Sequence, residues 1–358
     1  MQIAHFVKTI TPNRSAPEPA APNHSSEPSS KSSPLRRCAA SPAGRAFAAL
    51  LLVLIVGMIF NADGAFFKIG THRDALRQAS VYGILACGLT LVIISGGIDL
   101  AVGSMLALVA VACAKMAIQF GWSAWLVVPI CLILGASCGG VAGFVTARLQ
   151  VQPFIATLAM MVFARGLAKY ASGGMKVSTA VRNPDGTYRY VNVPPLFHFV
   201  DNRILGDNVS VVTIIFLLCI LVAWLFTAKH RWGRYLYAIG GNEEASRLSG
   251  VPVVGAKMFA YVLSGAFAAV AGICQAAQEQ QGDPEAGAGY ELIGIAMVVI
   301  GGTSLMGGRG GIGLTLLGVL TIGYLDKILS INAVPEAGRL MMTGVIIVIA
   351  VLTQRRSR

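Results

Sequence analysis

Few residues in this chain are placed to do covalent chemistry. The five histidines, His5, His24, His72, His198 and His230, all fall in tails or between apolar runs, away from the carboxylate and nucleophile that acyl transfer would group around a base. No Gly-x-x-x-x-Gly-Lys-Ser/Thr phosphate loop is present, and the glycine-rich stretch Gly307-Gly-Arg-Gly-Gly-Ile-Gly313 has no following lysine. Cys87, Cys113, Cys131, Cys138, Cys219 and Cys274 sit inside apolar segments, where a thiol behaves as a small hydrophobe. No Cys-x-x-Cys or Cys/His spacing suggests a disulfide framework or a metal. The chain is therefore expected to catalyse no reaction and to hold no metal or cofactor.

The polar residue that stands out is Asp99, within Leu89-Thr-Leu-Val-Ile-Ile-Ser-Gly-Gly-Ile-Asp-Leu-Ala-Val-Gly-Ser104. An ionised carboxylate in a nonpolar surround costs at least ~2.5 kcal/mol, so it needs a partner, a helix N-terminus or water. One reading is that Asp99 and Ser104 line or gate a path at a helix break. Another is that Asp99 caps the following helix at an interface. The two are compatible.

Such residues must be positioned by elements that the composition identifies. The hydrophobic set makes up 55% of the 358 residues and charged residues only 12%, about half the charged share usual in soluble domains. Apolar runs recur at about 45–62, 78–95, 100–119, 123–147, 153–172, 209–227, 257–280, 291–306, 311–328 and 335–353. Each approaches the roughly 20 residues needed to cross about 30 Å of hydrocarbon. The fold class expected is all-α, a polytopic membrane protein of about ten helices, within a range of 8–10.

The net charge of +12 does not point to nucleic acid, because the basic residues lie in tails and between apolar runs. Residues 1–44, rich in Pro, Ser and Ala, read as a disordered cytoplasmic tail, 45–353 as the transmembrane domain and 354–358 as a basic cytoplasmic tail. An even count with both termini inside also places the basic loop 228–257 inside. Lys68, Arg73 and Arg77 fit that topology poorly, since they fall in a loop it places outside. The loop 173–208, with the turn chemistry of Asn183-Pro184-Asp185-Gly186, is expected to form a small ordered cap on the outer face.

The inner loop carries a complete short helix within Arg231-Trp-Gly-Arg-Tyr-Leu-Tyr-Ala-Ile-Gly-Gly-Asn-Glu-Glu-Ala-Ser-Arg-Leu-Ser-Gly-Val-Pro252. Asn242 is a suitable N-cap, and Glu243 and Glu244 place negative charge at the positive end of the helix dipole. Arg247 falls in the last turn, Gly250 suits a left-handed residue after the helix, and Pro252 stops continuation. With Leu248 exposed, the helix is a projection that a partner subunit could grip. An ordinary amphipathic loop helix remains the alternative.

These blocks resemble the ribose/xylose/galactoside-type permeases of ABC importers, in the branched-chain amino acid/ribose permease superfamily. The inner stretch is similar to their coupling loop, and Gly97-Ile-Asp-Leu-Ala-Val-Gly-Ser104 departs mildly, having Ala101 where serine is usual. Val151-Gln-Pro-Phe-Ile-Ala-Thr-Leu158, Ala286-Gly-Ala-Gly-Tyr-Glu-Leu292 and Val299-Ile-Gly-Gly-Thr-Ser-Leu-Met-Gly-Gly308 extend the resemblance over about 78–325.

The resemblance implies a permease of a type II-like importer in the bacterial inner membrane. It implies paired permease subunits, separate ATPase subunits that use ATP and Mg2+, and a periplasmic sugar-binding protein that delivers a small sugar. Gly233, Arg234, Asn242, Glu243, Glu244, Ala245, Arg247, Leu248, Gly250 and Pro252 are the coupling candidates it implies. By position, Ser95, Gly97, Asp99, Ser104, Thr157, Glu291 and Thr303 are candidates to line the path. Other readings are a permease for nucleosides or branched-chain amino acids, an ATP-independent transporter or channel, and a scaffold. Finally, Gly-Gly-x-x-Leu-x-x-Gly occurs at both 96–103 and 301–308, with both copies expected on the inner side.

Overall fold

The computed structural model describes residues 41–182 and 185–355. The expected disorder of the N-terminal tail, all but its last residues, and the Asn183-Pro184 part of the turn lie outside the described residues, as does most of the basic C-terminal tail.

The described residues are helical almost throughout. Helix α1 spans Pro42–Ile59, α2 Ile69–Ile94, α3 Val102–Ala114 with a π-helical extension Lys115–Gln119, α4 Ala124–Ala147 and α5 Pro153–Ser172. After the cap come α7, Val211–Lys229, then α8, Arg231–Gly241, and α9, Glu243–Leu248. Four more follow: α10, Val253–Glu279; α11, Tyr290–Gly301; α12, Ile312–Ile331; and α13, Glu336–Arg355. The cap holds α6, Pro195–Asp201, and two antiparallel hairpins, β1 (Ala180–Arg182) with β2 (Tyr188–Tyr190) and β3 (Arg203–Ile204) with β4 (Val209–Ser210).

Among the described residues, eight helices are long and apolar enough to cross a membrane. The expected run 291–306 becomes only the 12-residue α11, because the chain turns at Gly302 with a φ of 107°. The expected last span is α13, which falls outside those eight. Helix α1 begins at Pro42, capped by the Ser41 hydroxyl 3.0 Å from Gly44 N, a little before the expected domain boundary.

The awkward Lys68, Arg73 and Arg77 are explained by a longer second helix. It starts at Ile69 rather than 78, and its first turns are charged because the cap supplies partners for them. Arg77 pairs with Asp201, Arg73 bonds Asn208 and the Asp207 carbonyl, and Asp74 meets Arg203 at 2.8 Å and Lys327 at 3.7 Å. The cap is also stitched to the segment after α10 by a β-bridge between Val177 and Gly282 and by a Lys176–Asp283 ion pair of 2.9 Å.

Helix α10 is the hub against which α2, α3 and α4 pack. Lipid gives little reason for apolar helices to associate, so close backbone approach supplies the packing energy. Gly135, Gly139 and Gly143 line one stripe of α4, facing Tyr261 and Gly265 of α10. A methyl on Gly139 would overlap the Tyr261 carbonyl, and Gly135 and Gly265 each present the same obstacle to the other. A methyl on Gly88 of α2 would lie 2.8 Å from Ser264 Cα, and one on Gly272 would lie 2.6 Å from the Leu106 carbonyl of α3.

This packing predicts opposite effects at adjacent glycines. Alanine is favoured over glycine in a helix by about 1 kcal/mol, and at Gly140 the nearest neighbour of the new methyl is the Val262 side chain at 3.4 Å. Gly140→Ala should therefore leave thermal stability in detergent unchanged or raise it. Gly139→Ala should lower it by about 1–3 kcal/mol, the usual cost of overpacking, despite the better helix propensity.

Candidate functional site

The end of the bundle opposite the cap is built on a helical corner. His230 caps α8, accepting from Trp232 N at 3.3 Å, and Gly233 lets α8 turn tightly against α7, where a methyl would overlap the Phe226 carbonyl. Arg234 reaches back to the Lys229 carbonyl at 3.3 Å. Leu236 and Ile239 are buried, while Tyr237 donates to the Gly310 carbonyl at 3.1 Å. Burial pushes the Tyr237 hydroxyl above the ordinary phenol range, which keeps it protonated as the donor.

Helix α9 follows without a loop. The Asn242 side chain accepts from Ala245 N at 2.9 Å, and Ser246 Oγ donates to the Asn242 carbonyl at 2.8 Å. Glu243 pairs with Lys257 of α10 and with Arg247 at 3.3 Å, and Arg247 also meets Glu244 at 3.7 Å. The helix ends at Leu248, Gly250 follows with a φ of 81°, and Pro252 stands immediately before α10. Leu248 is 81% exposed on a face that carries Glu244 and Arg247. All ten candidate residues of this stretch thus fall on one short helix or the corner that supports it.

Behind α9 three glycine segments meet. Gly308 N donates to the Ile94 carbonyl at 2.9 Å, and a methyl on Gly240 would overlap that same carbonyl and Gly308 N. A methyl on Gly307 would lie 2.9 Å from Gly96 N. The two copies of the Gly-Gly-x-x-Leu-x-x-Gly pattern are therefore in direct contact at the end of the bundle that bears α9.

From Gly96, with a φ of 80°, the chain turns back into the bundle before it becomes helical again at Val102. Asp99 is fully buried in this return. Its Oδ1 accepts from Ala101 N at 3.0 Å and its Oδ2 from Ser264 Oγ, near the middle of α10, at 2.7 Å. The interfacial N-cap expected for Asp99 is corrected accordingly: Ala101 holds that position, and the carboxylate is a bracket between the return segment and α10. Tyr261 adds a hydrogen bond to the Ile98 carbonyl at 3.3 Å, and a methyl on Gly97 would lie 2.6 Å from its hydroxyl.

The other path candidates separate into two groups. Ser95 donates to the Val92 carbonyl at 2.7 Å, Thr157 to the Pro153 carbonyl at 2.9 Å, and the Thr303 hydroxyl lies 3.4 Å from Gly311 N. Within the single chain these three, like Gly97 and Asp99, are buried. Ser104, itself buried, and the half-buried Glu291 come together on one open groove, of about 430 Å³, beside Arg165 and Lys169 of α5.

Comparison with known proteins places this architecture. The family described as "Branched-chain amino acid transport system / permease component" matches residues 73–351. The chain belongs to this permease family. It is 38% identical to the ribose import permease RbsC of Escherichia coli K12 over 312 residues, covering 86% of this chain and 93% of that one. It is 34% identical to the fructose import permease FruG of Bifidobacterium longum, covering 86% and 89%, and 36% identical to the galactofuranose transporter permease YtfT of Escherichia coli K12, covering 86% and 88%. No solved structure matches the permease. It is a multi-pass membrane protein and a transport component.

Sequence reasoning missed Arg165, Tyr261, Ser264 and the helical form of 231–241. Arg165 had a visible signal, as a basic residue within an apolar run. Tyr261 and Ser264 had none, because only the return of the chain to mid-bundle gives them partners.

The Asp99 bracket makes a prediction for the permease. Asparagine can keep both bonds, accepting from Ala101 N and donating to Ser264 Oγ, so Asp99→Asn should retain folded yield. Asp99→Ala strands a buried N–H and a hydroxyl, at about 1–3 kcal/mol, and should lower the melting temperature measured by tryptophan fluorescence.

Proposed function

We propose that the permease is the membrane subunit of an ATP-driven importer that passes a small neutral sugar across the bacterial inner membrane. Two permease subunits, this chain twice or with a homologue, enclose the path. ATP and Mg2+ are used by ATPase subunits docked on the inner face, and a periplasmic sugar-binding protein delivers cargo to the cap. Both termini are cytoplasmic in this arrangement.

The observation that carries the coupling assignment is α9. A six-residue helix is too short to persist by itself in water, yet this one is capped, ion-paired to α10 and seated on α8, whose glycine end touches the breaks after α2 and α11. It therefore presents Leu248, Glu244 and Arg247 on a rigid mount. A push on α9 has a short, packed route to both helix breaks, which is what a population shift driven from outside the chain requires. The cargo reading is supported by the ribose, fructose and galactofuranose permeases among the relatives. A branched-chain amino acid cargo has the family description in its favour.

The Glu244→Ala/Arg247→Ala double variant should fold, because both groups are exposed, yet lose sugar uptake and stimulation of the partner ATPase. Asn242→Ala should weaken α9 by about 1 kcal/mol and give an intermediate loss. Normal uptake and normal ATPase stimulation in the double variant would remove the coupling assignment. Uptake measured with ribose, fructose, galactose, uridine and leucine decides the cargo.

A further inference from the structure

Two helices of this bundle start partway through it, side by side. Helix α3 begins just after Asp99, which is tied to the middle of α10, and its Gly103 packs against the segment that leads into α11. A methyl on Gly287 would lie 2.6 Å from the Gly103 carbonyl, and a methyl on Gly103 would lie 2.5 Å from Glu291 Oε2. Arg165 fixes this entry segment from the other side, donating through Nη1 to the carbonyls of Pro284 at 2.6 Å and Ala286 at 2.8 Å.

The groove over this junction runs inward from Lys169, which pairs with Glu285 at 2.6 Å, past Arg165 to Glu291, with Ser104 at its floor. Glu291 is partly exposed there, and no cation lies within ion-pair distance of it among the described residues. A carboxylate in the first turn of an apolar helix, open on the flank of the bundle, is incompatible with acyl chains, which charge it several kcal/mol. It requires water or a polar solute. By contrast, α5 surrounds the groove with exposed Leu158, Val162 and Phe163. Helices interrupted near mid-depth are where membrane transporters gather solute-binding groups.

From this juxtaposition we infer that the Ser104–Arg165–Glu291 groove is this chain's half of the solute passage, and that it selects a neutral polyhydroxylated solute. Glu291 accepts hydroxyl hydrogen bonds, Arg165 and Ser104 answer the solute's oxygens, and no net charge is required of the cargo. The inference rests on the proposed function only for the second permease subunit that closes the passage opposite.

The test uses the assembled importer reconstituted in proteoliposomes, in a Cys38→Ser background, since the six described cysteines are all buried. A charged, bilayer-impermeant methanethiosulfonate should label Glu291→Cys and Gly166→Cys, and labelling should abolish uptake of ribose, fructose and galactose. Gly166 serves as the second probe because a side chain there meets nothing within 4 Å. Ile155→Cys, on the apolar face of α5, should stay unlabelled. A Glu291→Gln importer should lose at least about ten-fold in uptake efficiency and change its rank order among the three sugars, as sites built to bond hydroxyls do. Groove cysteines as unreactive as Ile155→Cys, or labelled with uptake intact, overturn the inference. Failure of the unmodified importer to move any of the three sugars removes the cargo reading instead, and the labelling pattern still decides the passage.

Discussion

The architecture depends on backbone meeting backbone where no side chain fits. At the end opposite the cap, Gly96, Gly240 and Gly307–Gly308 bring three chain segments within hydrogen-bonding distance, and the bond from Gly308 N to the Ile94 carbonyl closes the cluster. Side chains at Gly240, Gly307 or Gly308 would force α8 away from the ends of α2 and α11. The corner carrying α9 would then be a loosely tethered loop rather than a part of the bundle. In a bilayer, where association of helices draws on packing more than on hydrophobicity, such contacts are what make separate segments move as one.

The same economy operates deeper in the bundle. Helix α10 accepts α4 along a glycine stripe, α2 at Gly88 and α3 at Gly272, and it spends its polar groups on the return segment, where Ser264 holds Asp99 and Tyr261 holds the Ile98 carbonyl. A buried carboxylate normally threatens a membrane fold. Here two donors satisfy it, and the non-helical backbone around it is enclosed by protein, which is the condition under which irregular chain survives at membrane depth.

Much of this was legible in the sequence because it is local. Hydropathy located the apolar helices within a few residues, and Asn242, Arg247 and Gly250 gave the start, last turn and stop of α9, since capping depends on neighbours in the chain. Two of the failures share one cause: their partners are distant in sequence. The charged first turns of α2 read as loop because Asp201, Arg203 and Asn208 neutralise or bond them from more than 120 positions away. The run 291–306 read as a span because apolar composition continues through the glycine turn that ends α11. Ser104 and Glu291 were chosen as polar residues near helix starts, but that they share a groove with Arg165 follows from the packing of α3 and α11, which no periodicity reveals.

Helix α2 has an unusual mechanical position. Its 26 residues make a rod of about 39 Å at the α-helical rise. One end is pinned to the cap through Arg73, Asp74 and Arg77, and the other ends at Ile94 in the glycine cluster behind α9. No glycine hinge or proline interrupts it, and its glycines at 83 and 88 are wedged against Phe216 and Ser264. A tilt imposed at one surface of the membrane must therefore appear at the other as a displacement of comparable size. A displacement at the cap and one behind α9 would be felt through one lever, with no slack between them.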